Sequence, residues 1–338
     1  MTPERITLEH GGGGTAMLKL LAETVLREFK LKRAGPVGLD ELDDGAALEI
    51  DGKTLVFTTD SHTVKPLFFP GGDIGKLAVA GTINDLAVMG GRPLAMACAI
   101  VVEEGFEIEK FQQVVRSMGQ TAEEVGVALV TGDFKVIERG GLDGMVITTT
   151  GVGLAEKLMT DSMLKPGDQI LINGTIGDHG ATILAQREGL SVAGDLYSDV
   201  APIWDVVEAA IEVGGVSAMK DPTRGGVAAA LNELASKSKV GITLYEEELP
   251  ISPPVQNFCE MLGLDPLTLT NEGKVLIGVN AEKSEEVLKA IRKRPHGKDA
   301  HIIGEVSSEN PGKVIVKTKL GSHRILQAPV GDPIPRIC

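Results

Sequence analysis

Lys165-Pro166-Gly167-Asp168 sets a proline and a glycine side by side between two charged residues near the middle of the chain. Proline and glycine side by side mark a turn, because one presets φ and the other tolerates conformations closed to other residues. The turn closes a segment from 156 to 168, and strand-period and helix-period stretches alternate on both sides of it. It is therefore read as the boundary between two α/β units.

Beyond the boundary, 169 to 173 reads as a strand and 179 to 188 and 201 to 212 as helices. A strand at 216 to 220 opens into Asp221-Pro222-Thr223-Arg224-Gly225-Gly226. A helix to about 237, a strand at 241 to 245 and a helix at 253 to 262 follow. Paired strands over 267 to 279 are expected around Asn271-Glu272-Gly273, then a helix at 281 to 294 and strands near 301 to 306 and 313 to 318. Before the boundary, a hairpin turns at Asp51-Gly52. A helix over 73 to 89 is rich in small residues and carries Asn84-Asp85 near its middle. A strand at 93 to 102, a helix at 107 to 125, a strand at 126 to 131 and another at 144 to 150 complete that half. Ahead of it, His10-Gly11-Gly12-Gly13-Gly14 forms a flexible arm followed by a helix with the stripe Met17, Leu21, Val25 and Phe29. The expected fold class is α/β (α+β), with an arm and helix over 1–41, domains over 42–155 and 156–322, and a tail over 323–338.

Prolines at 329, 333 and 335 fix φ and remove N–H donors, so the tail is expected to run extended to Pro335-Arg336-Ile337-Cys338. From Gly331 to Cys338 such a tether reaches roughly 23 to 26 Å at about 3.3 Å per residue. The other two cysteines read as structural: Cys98 lies in an apolar run and Cys259 in a helix, and three sparse thiols suit a reduced, intracellular chain. Lys+Arg 33 against Asp+Glu 47 gives a net charge of -14, which disfavours a nucleic-acid partner. Neither a secretory signal nor a membrane-length apolar run is present, so the cytoplasm is the expected location.

Asp43, Asp44, Asp60, Asp85, Asp133 and Asp221 sit at element ends or beside glycines and polar residues. Taken singly, each reads equally well as a turn former or helix cap. Taken together, converging carboxylates require a cation, and hard oxygen ligands favour Mg2+ shared with phosphate oxygens. A Mg-nucleotide site is the expectation. The usual phosphate loop is absent, because in the stretch ending Gly75-Lys76-Leu77 the first glycine position is Pro70 and the last is Leu77. The arm does not make a dinucleotide turn either, since only Ile6-Thr7-Leu8 could precede it as a strand. Phosphates are left to the metal, the glycine arm, Lys135 and Arg224.

Asp43-Asp44-Gly45-Ala46, Thr59-Asp60-Ser61, Asn84-Asp85, Gly132-Asp133, Asp221-Pro222-Thr223-Arg224-Gly225-Gly226 and Asn271-Glu272-Gly273-Lys274, in this order and spread, resemble the superfamily of aminoimidazole ribonucleotide synthetase and selenophosphate synthetase. Within it, the ending Pro335-Arg336-Ile337-Cys338 is similar to that of the HypE family of hydrogenase maturation proteins, the carbamoyl dehydratases. The resemblance implies a two-domain PurM-like architecture with ATP in a cleft between the domains and a homodimer built by sheet pairing of the 42–155 domains. It implies ATP and Mg2+ as cofactors, with Asp44, Asp60, Asp85 and Asp221 as metal ligands and Gly12, Gly13, Asp43, Asn84, Gly132 and Asp133 as further nucleotide-binding positions.

The implied task is to accept a carbamoyl group on Cys338 from the carbamoyltransferase HypF and to dehydrate the S-carboxamide to a thiocyanate with ATP. The cyanide then passes to iron on HypC-HypD for the nickel-iron hydrogenase centre. Glu272 is the expected base, Lys135 the group that polarises the carboxamide oxygen or holds phosphate, and Arg224 the γ-phosphate ligand. Two rivals remain: an ATP-dependent synthetase acting on a free small molecule, and a non-catalytic carrier. The arm holds no cysteine, which counts against selenophosphate synthesis.

Overall fold

The computed structural model describes residues 5–191 and 194–331. A helix α1 (Gly14–Glu23) follows the arm and breaks at Thr24 into a short α2 (Val25–Glu28), so the expected single apolar stripe ends early and Phe29 is exposed. Strands β1 (Ala46–Ile50) and β2 (Lys53–His62) form the expected hairpin, with Asp51 and Gly52 both at positive φ. A miniature ribbon of β3 (Phe68–Phe69) and β4 (Gly72–Asp73) leads into α3 (Ile74–Val88). Asp73 caps α3, its Oδ1 accepting the Gly75 and Lys76 N–H groups at 2.8 and 3.0 Å. Next come β5 (Gly91–Glu103), α4 (Ile108–Val125), β6 (Ala128–Ile137) and β7 (Met145–Ala155). The first sheet has the order β1-β2-β7-β5-β6. Ile74, Ala78 and Ile83 of α3 and Val114 and Met118 of α4 cover one face of it.

The Lys165–Asp168 turn is present as read: the Asp168 N–H donates to the Lys165 carbonyl at 3.0 Å, with Gly167 at φ 93°. It delivers the chain into β8 (Asp168–Ile172), an interior strand of the second sheet. The remainder runs α5 (Asp178–Glu188), α6 (Trp204–Val213), β9 (Val216–Lys220), α7 (Gly226–Ser238), β10 (Gly241–Tyr245), α8 (Pro253–Leu262), β11 (Leu276–Asn280), α9 (Ala281–Ile291), β12 (His301–Ser307), β13 (Val314–Lys317) and β14 (His323–Leu326). The sheet order is β14-β13-β10-β12-β8-β11-β9. Helix α7 packs on one face of it, and α6 with α9 on the other.

Helix α3 joins the two halves. It is buried nearly all round, and its last turn, Ala87 and Val88, shares a core with Leu171, Val206 and Val207. The cleft between the halves lies beside this helix, with Leu77, Gly81 and Asp85 of α3 among its lining residues.

Three expectations need correction. Residues 267 to 279 do not pair with each other: Pro266–Thr268 is a 3-10 turn, 271 to 275 is loop, and β11 pairs instead with β8 and β9. The strand expected to end at 131 runs on to Ile137, because nine residues of β5 hold it in parallel register with a single irregularity. Residues 323 to 326, assigned to the tail, form β14 on the edge of the second sheet, where Leu326 pairs with Val314 and is buried. Pro333, Pro335 and Cys338 lie outside the described residues.

Candidate active site

A cleft of about 630 Å3 opens between the halves. Its floor is a carboxylate trio drawn from three places: Asp44 from the loop before β1, Asp85 from α3, and Asp221 from the residue after β9. One oxygen from each lies within 4.8 Å of the others. Burial above all, and then mutual repulsion, pushes these acids up. Asp44 reaches about 8 and Asp221 about 6, each held back by Lys220, while Asp85 stands well above the usual carboxylate range. The Thr58 hydroxyl lies 2.8 Å from the Asp44 carbonyl and 2.9 Å from Asp85 Oδ2. Three hard oxygen donors short of positive charge fit a divalent cation of the Mg2+ type.

Cations already surround this floor. Lys220 Nζ lies 2.8 Å from Asp44 Oδ1, 3.0 Å from Asp161 Oδ2 and 3.3 Å from Glu233 Oε2. Lys237 Nζ reaches Asp43 Oδ1 at 2.6 Å and the same Asp161 oxygen at 2.9 Å. Burial opposes the charge on Lys220, but its acids outweigh burial and raise its pKa well above the usual value. The network crosses between the halves, with Asp43 and Asp44 on one side and Lys220, Glu233 and Lys237 on the other. Sequence reasoning missed Lys220, Glu233, Asp161 and Lys237; the only signal for Lys220 was its place immediately before Asp221.

Asp60 stands outside the trio. Its Oδ1 accepts the Ser61 N–H at 2.9 Å, and its Oδ2 lies 3.1 Å from Nε2 of His62, another buried residue missed in the sequence. Of the four acids expected to hold the metal, three bring oxygens within 4.8 Å of one another, and Asp60 stands beside them in the cleft lining. Arg224 lies on the same wall among Asp60, Asp85, Asp221 and Asp44, which together raise its pKa against the pull of burial. Glu272 completes the wall from the 271 to 275 loop. Burial first, and then Asp199, Asp221 and Asp60, push its carboxyl well above the usual range, with Arg224 opposing.

The arm forms the roof. Gly11 and Gly13 line the cleft together with Met17, Leu18 and Leu21 of α1. Gly13 and Gly14 both have positive φ, and a Cβ on either would collide, with Arg224 in one case and with the Pro329 carbonyl in the other. The Ala16 N–H donates to the Val330 carbonyl at 3.4 Å. The arm therefore touches both the cleft's arginine and the root of the tail. Gly12 is buried in the arm and does not line the cleft.

Several expected positions lie elsewhere. Asn84 is buried at the join of the halves, its amide spent on backbone groups and not on a ligand. Gly132, Asp133 and Lys135 lie on β6, an exposed edge strand, where Lys135 Nζ pairs with Asp133 Oδ2 at 2.7 Å. They do not reach this chain's cleft, because β6 is separated from the cleft strand β2 by β5 and β7. Cys98 and Cys259 are buried in separate cores, and burial raises both thiols, Cys259 to about 12.

Residues 42–155 match the family model of the AIR synthase related protein, N-terminal domain, and residues 165–317 match that of its C-terminal domain. Carbamoyl dehydratase HypE of Rhodobacter capsulatus is 44% identical over 340 residues, an alignment that covers 99% of this chain and 98% of that protein. The chain belongs to the HypE family. A solved HypE in complex with ATP matches with a TM-score of 0.81 at 44% identity, covering 99% of this chain and 100% of that one. The HypE–HypF complex contains a chain that matches with a TM-score of 0.85 at 42% identity, covering 91% of this chain and 99% of that one. The two-domain α/β architecture that the sequence implied is the architecture of these HypE structures. Among the described residues no helix is long and apolar enough to cross a membrane.

Proposed function

We propose that the protein is an ATP-dependent carbamoyl dehydratase acting on an S-carboxamide carried by its own Cys338. The observation that carries this reading is the placement of the tail root. Pro329 and Val330 rest against the glycine arm that roofs a cleft holding three cation-hungry acids, Arg224 and Glu272. A tether of seven further residues reaches roughly 23 Å at about 3.3 Å each, enough to carry a sulfur into that cleft.

A carboxamide loses water poorly because its oxygen is a poor leaving group. In the proposed reaction its oxygen attacks the γ-phosphorus of ATP, ADP leaves, and one N–H proton is lost. The C–O bond then breaks with phosphate as leaving group, the second N–H proton departs, and Cys338 is left as a thiocyanate. The carboxamide oxygen leaves in the phosphate. Arg224 holds the γ-phosphate in this scheme and Glu272 takes the first N–H proton, burial holding its carboxyl well above the usual range, while the second proton leaves on the departing phosphate. Asp44, Asp85 and Asp221 would hold Mg2+, which when bound neutralises charge on the transferring phosphoryl group.

The exposed edge of β6, with Leu129, Val130, Phe134 and Val136 open to solvent, supports a homodimer formed by pairing of first sheets. Lys135 and Asp133 would then act in the partner's cleft. HypF as carbamoyl donor, HypC-HypD as cyanide acceptor and a cytoplasmic setting belong to the same reading, the first supported by the relative solved with HypF. The test is Glu272→Gln: the S-carboxamide on Cys338 should accumulate in the presence of ATP, and a normal thiocyanate yield would remove Glu272 from the scheme.

A further inference from the structure

Resting on the reading of Glu272 as the proton acceptor, we propose that Asn84 and Asp199 are positioning residues that grip the Glu272 peptide from opposite sides, one from each half of the molecule. The Glu272 N–H donates to Asp199 Oδ1 at 3.1 Å, and the Glu272 carbonyl accepts from Asn84 Nδ2 at 3.2 Å. Asn84 is 1% exposed and spends its whole amide here: Nδ2 also donates to the Ala201 carbonyl at 3.1 Å, and Oδ1 accepts the Ile203 N–H at 2.9 Å. An amide whose donors and acceptor are all engaged has one orientation.

Asp199 is fixed as firmly. Its Oδ2 lies 2.9 Å from Lys274 Nζ, an ion pair between side chains that are 4% and 10% exposed. Gly273 packs against the Asp199 carbonyl so tightly that no Cβ fits. Asn173 holds the next stretch, donating to the Gly273 carbonyl at 3.1 Å and accepting the Val275 N–H at 2.8 Å. The loop from 271 to 275 thus has no strand partner but is pinned at nearly every peptide. A base must sit within hydrogen-bond reach of its proton, and a displacement of about 1 Å can cost on the order of a hundredfold in rate.

The grip also links two parts of the site. Asn84 immediately precedes Asp85 on α3, so the helix that supplies a proposed metal ligand is tied directly to the loop that supplies the base. Phosphorylation of the carboxamide and removal of its protons are then held in one geometry. If the base drifts, the phosphorylated intermediate is left to water, which returns the S-carboxamide and phosphate while ATP is consumed. The expected signature is uncoupling, with ADP formed in excess of thiocyanate.

The test uses the full chain carbamoylated on Cys338, with ADP and thiocyanate counted by quenched-flow mass spectrometry. Asn84→Ala, and Asp199→Ala combined with Lys274→Met so that no lone charge is buried, should lower thiocyanate per ADP by about tenfold or more while ATP affinity stays within about threefold. Asp199→Asn in the same Lys274→Met background keeps the acceptor oxygen without burying a lone charge and should recover most of that loss. It should also move the acid limb of the pH–rate profile to lower pH. Glu272 is faced by Asp199, Asp221 and Asp60, which raise it, and by Arg224, which lowers it; removing one of the three negative charges lowers it further. A folded double variant with parental thiocyanate per ADP, or an unmoved acid limb in Asp199→Asn, overturns the grip. Glu272→Gln run in parallel separates the two ideas: if it is inactive while the grip variants are normal, only the grip falls, and if it is itself normal, the base assignment falls with it.

Discussion

Lys220 is the residue on which the cleft's charge balance rests. Lys220 is 6% exposed and its Nζ touches three carboxylates, so its removal takes the paired cation from buried Asp44 and from Glu233, while Asp161 keeps Lys237. Breaking a buried pair in this way costs about 3–5 kcal/mol. Lys220→Met should therefore lose stability of that order in urea unfolding without metal, whereas a loss below about 1 kcal/mol would mean that the network is solvated and slack. At this scale the sequence showed the acids but not their partners. Asp44, Asp85 and Asp221 were visible because each sits beside a glycine, an asparagine or a proline in a polar patch. Lys220 and Asp44 are 176 residues apart, and no local pattern announces a contact at that separation. Asn84 was legible as a polar residue on a closely packing helix, but its hydrogen bonds to the Ala201 and Glu272 carbonyls, 117 and 188 residues away, were not.

Among the elements, α5 carries a titratable group with no part in the proposed chemistry. His179 is buried, its Nδ1 lies 2.8 Å from Ser198 Oγ, and its ring packs edge-on to Phe69. Burial lowers its pKa to about 4, with Asp199 opposing. The folded protein then binds fewer protons than the unfolded chain between about pH 4 and 6.5, so stability rises with pH across that window. The stability linked to His179 is fully present above pH 6.5 and is lost as pH falls toward 4, about 3 kcal/mol in all. Denaturant melts of His179→Gln should flatten this part of the parent's pH dependence; parallel curves would place the acid sensitivity elsewhere. Elements with strong local signals were legible, among them the Asp51-Gly52 hairpin, the small-residue helix α3 and the turn before β8. Residues 267 to 279 were read as strands paired around Asn271-Glu272-Gly273 because apolar residues flank that stretch on both sides, whereas the strand there, Leu276–Asn280, pairs with β8 and β9. The end of β6 was missed because the parallel register with β5 is a tertiary fact.

For the whole molecule, the turn at Lys165–Asp168 was readable because proline and glycine stand side by side there. The shared core around α3 was not, since nothing local shows that Ala87 and Val88 pack beneath α6. The assembly can be tested through the β6 edge. Phe134→Glu places a charge on an apolar strip beside Phe111, whose ring centroid is 5.5 Å away. Light scattering should show the parent as a dimer and this variant shifted to monomer; a parent that is monomeric at micromolar concentration would contradict the proposed pairing.

Whether Cys338 carries the substrate is read most directly from the intact mass of the protein after incubation with carbamoyl phosphate, ATP and HypF, with peptide mapping of the modified residue. One carbamoyl group should be gained on Cys338, one water should then be lost when ATP is turned over, and neither change should occur in Cys338→Ser. A carbamoyl adduct mapped to Cys98 or Cys259, or ATP turnover that never removes the water, would contradict this role of Cys338.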